Sequence, residues 1–287
     1  MVSRRALVPL LGLVCALLCV LFAVRLIGSK DKPTTPNPAE GLTVLCPDLG
    51  KADGFLLLSE KGAALIDTGE DASAETLLNL LKEQDVTELD ALVLSHFDKD
   101  HIGGAAAILD AVPVKTLYRT AFTENSDPYD ELLSAIARSE TEVVTVTETT
   151  NVTAAGAEWT LYPPLADHYD KDEDNNASLI ARVNWEGSAL LFTGDALKDR
   201  IREFLDQQYE GGKCAFLKVP HHGRERKPTA LLAEAVSPEA ALVTSSAEEP
   251  ESEKLTEYLE QAQIPLYRTR QGLVTLHCHN GEMKISQ

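Results

Sequence analysis

The sequence of 287 residues is 44% hydrophobic and 25% charged, a composition ordinary for a globular protein, which excludes a largely disordered chain. Its 45 acidic and 26 basic residues give a formal net charge of −19 at pH 7. Because a surface of that average charge repels polyanions, tight sequence-independent binding of nucleic acid is excluded unless a local basic groove is present.

The N-terminus differs in composition from the rest of the chain. Residues 6–24 carry no charged side chain, and as a helix rising about 1.5 Å per residue they would span roughly 28 Å, close to the hydrocarbon thickness of a bilayer. Arg4 and Arg5 precede this run, as in a signal sequence, whereas Arg25 follows it. No small-x-small cleavage site closes it. We expect residues 1–29 to form a signal anchor or transmembrane helix that leaves the following domain outside the cytoplasm; a secreted protein is the alternative.

A proline-rich segment follows at residues 30–40. Pro33, Pro36 and Pro38 favour an extended tether that forms few hydrogen bonds. We expect one globular domain from residue 41 to residue 287.

The globular part predicts alternating strands and helices. In chain order these are strands at residues 42–46, 55–58 and 63–66, a helix at 73–82, a strand at 91–94, a helix at 102–110, a strand at 114–118, a helix at 129–138, strands at 143–146, 159–162, 178–185 and 189–192, a helix at 197–207, a strand at 215–219, a helix at 229–236, a strand at 240–243, a helix at 253–263, and closing strands between 265 and 285. This order predicts an α/β fold of four layers, with helices outside two sheets.

Cysteine does not organise this domain. Cys46, Cys214 and Cys278 are its cysteines, an odd number with no Cys-x-x-Cys spacing. A disulfide framework and a cysteine-based zinc site are therefore both excluded.

The clearest chemical signal is a turn at residues 94–104, between a predicted strand and a predicted helix. A loop at the carboxyl end of a strand can direct several side chains into one cavity, and imidazole with carboxylate suits divalent metals. The four candidate ligands are His96, Asp98, Asp100 and His101. A helix cap formed by Asp98 or Asp100 is the alternative, but a cap requires neither histidine.

Three further segments place polar residues after predicted strands. Asp67 lies in an Asp-Thr-Gly turn, Asp195 ends a Thr-Gly-Asp sequence, and Lys218 begins Lys-Val-Pro-His-His-Gly, which contains His221 and His222. Each aspartate alone has a conformational explanation, since Asp-Thr-Gly turns are common and an aspartate can cap a helix. Their order after one another favours a shared site.

These motifs resemble the metallo-β-lactamase superfamily over nearly all of residues 41–287. The signature His-x-His-x-Asp-His of that family is matched at residues 96–101, with Asp98 in place of the second histidine. The resemblance implies a four-layer αββα sandwich and a hydrolase that binds two divalent metal ions. It also implies that Asp67 supports the metal-binding loop by hydrogen bonding and that Asp195 bridges both ions.

Within the superfamily, the motifs resemble those of the extracellular hydrolase domain of ComEC competence proteins. That subgroup shares an Asn-Asn-x-Ser-Leu sequence, found here at Asn175 and Asn176. The resemblance implies that Asn176 replaces a histidine ligand of the first metal ion or contacts substrate, with His168 on an acidic loop as its rival. It also implies that one of His221 and His222 binds metal while the other contacts substrate or donates a proton, and the sequence leaves open which.

The expected donor set is hard and anionic, so the two ions are expected to be Zn²⁺ or Mn²⁺. The expected ligands are His96, Asp98, Asp100, His101, Asp195 and one of His221 and His222. The residues expected to support the substrate or the site are Asp67, Asn175, Asn176 and Lys218. We expect a metal-bound hydroxide to attack a phosphodiester, with Asp100 and the histidine pair as the catalytic residues.

The expected substrates are a phosphodiester-containing small molecule, an oligonucleotide or a cell-wall polymer, in DNA uptake or in nutrient scavenging. An uptake role would require a separate channel partner, because the sequence shows a single apolar segment. Two alternatives stay open. The first is a carboxylic ester or lactam hydrolase, which the missing second histidine disfavours, and the second is a non-catalytic module that keeps metals for folding.

Overall fold

A computed structural model describes residues 40–287. The predicted signal anchor at residues 1–29 and all of the predicted tether except Glu40 lie outside the described residues. Within residues 40–287, no helix combines the length and the apolar character needed to cross a membrane.

The described chain contains strands and helices in the alternation that the sequence predicts. The strands are β1 (Leu42–Cys46), β2 (Phe55–Ser59), β3 (Gly62–Ile66), β4 (Leu89–Leu94), β5 (Val114–Arg119), β6 (Glu142–Thr145), β7 (Thr150–Ala154), β8 (Ala157–Tyr162), β9 (Ile180–Trp185), β10 (Ser188–Phe192), β11 (Phe216–Lys218), β12 (Ala240–Val243), β13 (Leu266–Arg268), β14 (Val274–His279) and β15 (Glu282–Ser286). The α-helices are α1 (Ala74–Glu83), α2 (Lys99–Ile102), α3 (Ala105–Ala111), α4 (Asp127–Arg138), α5 (Glu173–Asn176), α6 (Lys198–Gln207), α7 (Arg226–Val236) and α8 (Glu253–Gln261). Short 3₁₀ turns lie at Asp71–Ser73, Pro220–Gly223 and Thr269–Gln271.

The strands form two mixed sheets. The first has eight strands in the order β15-β14-β1-β2-β3-β4-β5-β6, and the second has seven in the order β13-β12-β11-β10-β9-β8-β7. Strands β3 to β6 pair in parallel in the first sheet, as do β10 to β13 in the second. Because the carboxyl ends of parallel strands lie at one edge of a sheet, the loops after β3 and β4 lie together, and so do those after β10, β11 and β12.

The two sheets pack face to face over an apolar core. Phe55 of the first sheet contacts Phe192 of the second, with ring centroids 5.2 Å apart, and Phe192 also packs on Phe216. Helices α1, α3 and α4 bury leucines and isoleucines against the outer face of the first sheet, and α6 and α7 do so against the second. The sandwich of two sheets with helices outside is therefore the arrangement that the sequence predicts.

The prediction of one continuous helix at residues 102–110 is wrong. The chain instead forms α2 and α3, separated at Gly103 and Gly104. A Cβ on Gly104 would lie 2.5 Å from the backbone oxygen of Thr68. Because glycine has no Cβ, the turn after β4 can approach the turn after β3.

One strand begins later than the sequence predicts, and one strand was not predicted. The strand predicted at 178–185 begins at Ile180, because the backbone N–H groups of Ser178 and Leu179 donate outside the sheet, to the carbonyl oxygens of Asn175 (3.2 Å) and Ser95 (2.7 Å). The sequence analysis missed β7, which pairs with β8 as a hairpin at the end of the second sheet. Its sequence, Thr-Asn-Val-Thr-Ala, is polar and lacks a run of apolar residues.

The core between the sheets predicts a large effect of Trp159→Ala. Trp159 is 1% exposed, and its indole N–H donates to the backbone oxygen of Ala154 (2.9 Å). We expect the free energy of unfolding to fall by about 3–5 kcal/mol, because the substitution leaves a cavity and an unpaired carbonyl. Chemical denaturation measures it. Leu273→Ala, at a position 41% exposed, is the control, and a loss for Trp159→Ala no greater than for the control would contradict this view of the core.

Candidate metal centre

The chemistry-bearing residues meet where the carboxyl ends of the parallel strands converge. Asp67 follows β3, His96 follows β4, Asp195 follows β10, and His222 follows β11. All four side chains are buried, with exposures of 0 to 1%. Residues far apart in the chain thus line a single pocket, and carboxylate and imidazole groups face one another within it.

Asp67 fixes the turn that carries the first two histidines. Its Oδ1 accepts the Ser95 backbone N–H (2.7 Å), and its Oδ2 accepts the Ser95 hydroxyl (2.7 Å). The same Oδ2 lies 2.8 Å from His101 Nδ1. Because a carboxylate only accepts, His101 carries its proton on Nδ1, which leaves Nε2 directed into the pocket. Asp67 thus joins Ser95 and His101 through hydrogen bonds.

Asp195 lies between two histidines. Its Oδ1 is 3.2 Å from His101 Nε2, and its Oδ2 is 3.1 Å from His222 Nε2. Gly194, at φ 51°, makes this placement possible, since a Cβ there would lie 2.8 Å from the Cβ of Ser95. The two carboxylate oxygens therefore face different histidines, as a carboxylate shared by two cations does.

The histidine pair after β11 separates into two environments. His222 is 1% exposed, and its Nδ1 lies 3.0 Å from the carbonyl oxygen of Thr244, so Nδ1 carries the proton and Nε2 faces Asp195 and Asp100. His221 is half-buried beside it, and burial lowers its pKa to about 4, below the ordinary histidine value. Only His222, of this pair, belongs to a cluster of potential metal ligands in residues 40–287.

Backbone strain accompanies this arrangement. His221 and His222 both adopt left-handed backbone conformations, at φ 49° and φ 51°. Such conformations cost a non-glycine residue about 1–3 kcal/mol each, and they persist where surrounding structure enforces them. Here the Thr244 contact holds the His222 ring in its position.

The two aspartates of the first motif differ in position. Asp100 is 5% exposed, and its Oδ2 is 3.4 Å from His222 Nε2, so it joins His101 and His222 in one cluster. Asp98 is one-third exposed, with Oδ2 3.6 Å from His96 Nε2. Asp98 therefore faces the His96 end of the pocket and Asp100 the His222 end.

The donor atoms fit divalent cations. Within residues 40–287, four buried imidazole nitrogens have no hydrogen-bond partner: Nε2 of His96, of His101 and of His222, and Nδ1 of His221. Three buried groups of potential ligands share His101 here: His96, His101 and Asp195; Asp100, His101 and His222; and Asp53, Asp67 and His101. In the third group, Asp67 faces Nδ1 of His101, which carries the proton, so the first two groups offer the unprotonated Nε2. Unpaired imidazole lone pairs beside carboxylates are the donors that Zn²⁺ and Mn²⁺ take. The residues present thus suit a pair of ions.

The pKa shifts of the pocket arise from its surplus of carboxylates. Burial alone would lower the pKa of His101, but Asp195 and Asp67 raise it well above its ordinary value. Burial alone would raise the pKa of Asp195, but His222 and His101 hold it well below its ordinary value. The carboxylates therefore stay ionised and demand positive charge, which protonated histidines or metal ions supply.

The sequence analysis missed Asp53, a buried carboxylate at the centre of this network. Asp53 Oδ1 accepts the Thr244 hydroxyl (2.6 Å), and Asp53 Oδ2 forms an ion pair with Lys218. Lys218 is fully buried and also donates to the Gly194 carbonyl oxygen (3.0 Å). Asp53 thus connects the turn before β2 to the loops after β10 and β12. The one sequence signal is an aspartate two residues before a predicted apolar strand.

The two residues of the Asn-Asn pair have different hydrogen-bonding environments. Asn176 is buried, donates from Nδ2 to the Lys171 carbonyl oxygen (3.1 Å) and accepts the Arg200 backbone N–H at Oδ1 (3.2 Å). These bonds fit structural support, and the amide oxygen, the atom that could bind a metal, is already used as an acceptor. Asn175 Oδ1 is buried and has no hydrogen-bond partner in residues 40–287. His168, the rival ligand, is exposed and pairs with Glu173.

Arg200 is a second residue that the sequence analysis missed. It is fully buried, and its guanidinium donates to the carbonyl oxygens of Ser178 (3.0 Å) and Tyr162 (2.6 Å). Since Ser178 accepts the Asp195 N–H, Arg200 holds the loop that supports Asp195. A polar arginine in an amphipathic helix is ordinarily a surface residue, so the sequence carries no signal for this role.

Comparisons with known proteins agree with the motifs. The family described as the metallo-beta-lactamase superfamily matches residues 48–245. ComE operon protein 3 of Bacillus subtilis is 25% identical over 94% of this chain and 36% of its own length, and competence protein ComA of Neisseria gonorrhoeae is 30% identical over 83% of this chain and 33% of its own. The chain thus spans about a third of the length of these relatives.

A solved structure is similar in fold. The metallo-beta-lactamase fold protein YhfI from Bacillus subtilis superposes with a TM-score of 0.53 at 13% identity, covering 86% of this chain and 100% of the other. At this identity the likeness concerns the fold alone.

The two environments of the histidine pair predict different metal contents. We expect His222→Ala to lose at least one bound ion per chain, because Nε2 of His222 faces Asp195 and Asp100. We expect His221→Ala to keep the wild-type content. Metal analysis of dialysed protein measures both, and the two substitutions control for each other. Loss in His221→Ala alone would show that the ligand is His221 and not His222, and equal losses would show that the two environments do not distinguish a ligand from a non-ligand.

Asp67→Asn is expected to weaken metal binding by about 10–100-fold without removing a ligand. The amide would donate to His101 Nδ1, which moves the imidazole proton to Nε2, the atom that faces Asp195. Calorimetric titration with Zn²⁺ measures the change. Asp110→Asn, which breaks an exposed ion pair with Arg138, is the control. Unchanged affinity in Asp67→Asn would remove the orienting role.

Proposed function

The chain belongs to the metallo-beta-lactamase superfamily, and from this premise we propose that it is a metal-dependent hydrolase of phosphodiester bonds related to the ComEC hydrolase domains. One observation carries the proposal. The two oxygens of Asp195 lie 3.2 Å from His101 Nε2 and 3.1 Å from His222 Nε2, an arrangement that suits a carboxylate shared by two cations.

We assign the ligands by the two ends of the pocket. His96 and Asp98 would hold the first ion, and Asp100, His101 and His222 the second, with Asp195 shared. Imidazole and carboxylate donors are compatible with Zn²⁺ and with Mn²⁺. When bound, the ions lower the pKa of water and neutralise charge on the oxygen under attack.

The remaining residues orient the ligands and the substrate. Asp67 and Thr244 fix the imidazole protons of His101 and His222 at Nδ1, away from the pocket. His221 is uncharged at neutral pH, because burial holds its pKa at about 4. Its N–H is then a hydrogen-bond donor suited to the leaving-group oxygen, the role that the non-ligand histidine is expected to take.

Electrostatics favour a short substrate. The net charge of −19 opposes binding of a long stretch of DNA. In addition, the carboxylates of Asp98, Glu124 and Asp174 come within 4.8 Å of one another beside the proposed site of the first ion. The names of the relatives point to competence, so we propose an oligonucleotide or another small phosphodiester, with a cell-wall polymer as a further candidate. The proposed location outside the cytoplasm is based on the apolar residues 6–24. A role in DNA uptake would also require a separate channel partner.

Asp195→Asn tests the proposal. We expect hydrolysis of bis-p-nitrophenyl phosphate and of single-stranded oligonucleotides to fall about a hundred-fold or more, because the amide is a poorer bridge between cations. Chelation should abolish wild-type turnover, and added Zn²⁺ or Mn²⁺ should restore it. Asp206→Asn, an exposed change on α6, is the control.

Three outcomes would contradict the proposal of metal-dependent phosphodiester hydrolysis. Turnover that survives Asp195→Asn would exclude metal catalysis at this site. Turnover of a chromogenic lactam or a carboxylic ester in place of the phosphodiester would favour the ester and lactam alternative. Stoichiometric metal without hydrolysis of any of these substrates would favour the non-catalytic module.

A further inference from the structure

Lys51 is a lysine at the edge of the metal pocket. It lies in the loop between β1 and β2, and its ammonium Nζ is 2.5 Å from Asp100 Oδ2. Its side chain is 18% exposed, whereas that of Lys218 is fully buried. Lys218 is held by Asp53 and by the Gly194 carbonyl oxygen, so it cannot reach a molecule that enters the pocket. Lys51 lies where an entering molecule can meet it.

The ammonium of Lys51 and the second ion would compete for one atom. Asp100 Oδ2, which pairs with Lys51, is also the oxygen 3.4 Å from His222 Nε2. An ion bound by Asp100 and His222 would take that oxygen and would repel the ammonium beside it. An anion placed between the two cations would remove this repulsion.

We propose that Lys51 forms an oxyanion subsite with the second metal ion, so that binding of the ion and binding of a phosphoryl oxygen favour each other. The inference rests on the proposed two-metal site and adds the class of ligand that the pocket recognises. Lys51 is then a substrate-binding residue that selects anionic oxygens.

The opposite end of the pocket has the other sign. Asp98, Glu124 and Asp174 bring their carboxylates together there, within 4.8 Å. Asp98 would be neutralised by the first ion, but Glu124 and Asp174 would keep their negative charge, so an anionic oxygen is favoured at the end of Lys51 over this end. The charge asymmetry therefore orients a phosphodiester within a chain whose overall charge is negative.

The test measures coupling between metal and anion in the purified protein. Mn²⁺ is titrated calorimetrically with and without inorganic phosphate, in the wild type and in Lys51→Gln. We expect phosphate to tighten the second Mn²⁺ site of the wild type by about ten-fold, and linkage requires Mn²⁺ to tighten phosphate binding equally. In Lys51→Gln, we expect Mn²⁺ alone to bind more tightly, since its competitor is gone, and the phosphate effect to fall below about three-fold.

Two further variants sharpen the result. Lys51→Arg keeps the charge, and we expect it to retain the coupling. Lys99→Gln removes a positive charge from the same region, but Lys99 is 73% exposed and pairs with Glu70 outside the pocket. We expect it to behave as the wild type, which separates a local contact from a change in net charge.

The contrary outcomes differ from those of the proposed function. Full coupling in Lys51→Gln, or weaker Mn²⁺ binding in that variant without phosphate, would overturn the inference. A wild type that binds no second Mn²⁺ would overturn it together with the two-metal site. Coupling that depends on Lys51 in a protein without phosphodiesterase activity would support the subsite and reject the proposed function. Hydrolysis without coupling would support the proposed function and reject the subsite.

Discussion

Four carboxylates buried in one small volume dominate the physical chemistry of this domain. Asp53, Asp67, Asp100 and Asp195 are each 5% exposed or less, and an ionised carboxylate taken out of water is costly unless a cation or several hydrogen bonds compensate it. The loops at the converging strand ends provide that compensation through imidazoles, hydroxyls, backbone N–H groups and the ammonium of Lys218. The site is thus held together by the same charge that suits it to divalent cations.

The fold makes such a concentration of charge tolerable. The sheets pack through an apolar core that includes Phe55, Phe192 and Phe216, and this core fixes the strand ends from which the polar side chains project. Rigid strand ends hold the strained backbone of His221 and His222 in place. Hence the burial of hydrophobic side chains supplies the stability of the domain. That stability holds the carboxylate cluster in a fixed geometry before any ligand binds.

Two lysines near the cluster have separate functions. Lys218 is fully buried and saturated with protein partners, so it compensates charge within the structure. Lys51 is partly exposed and contacts the cluster through one oxygen of Asp100. In the proposed subsite, a metal ion takes that oxygen and the ammonium then binds an anionic oxygen of the ligand, which links the two binding events. The comparison shows why residue type alone does not assign a role. Burial and the number of partners distinguish a structural ammonium from one available for binding.

The sequence alone determined the layered α/β fold, the family and the polar residues at 67, 96–101, 195 and 221–222, because periodicity and spacing within short segments are local properties. Only the tertiary structure decided that His222 and not His221 joins the cluster, and that α2 and α3 are separate. It alone revealed Asp53, Lys51 and Arg200. The Asp53–Thr244 bond, for example, joins residues 191 positions apart. Contacts of that separation depend on how sheets and loops pack, and no local pattern of residue types encodes them.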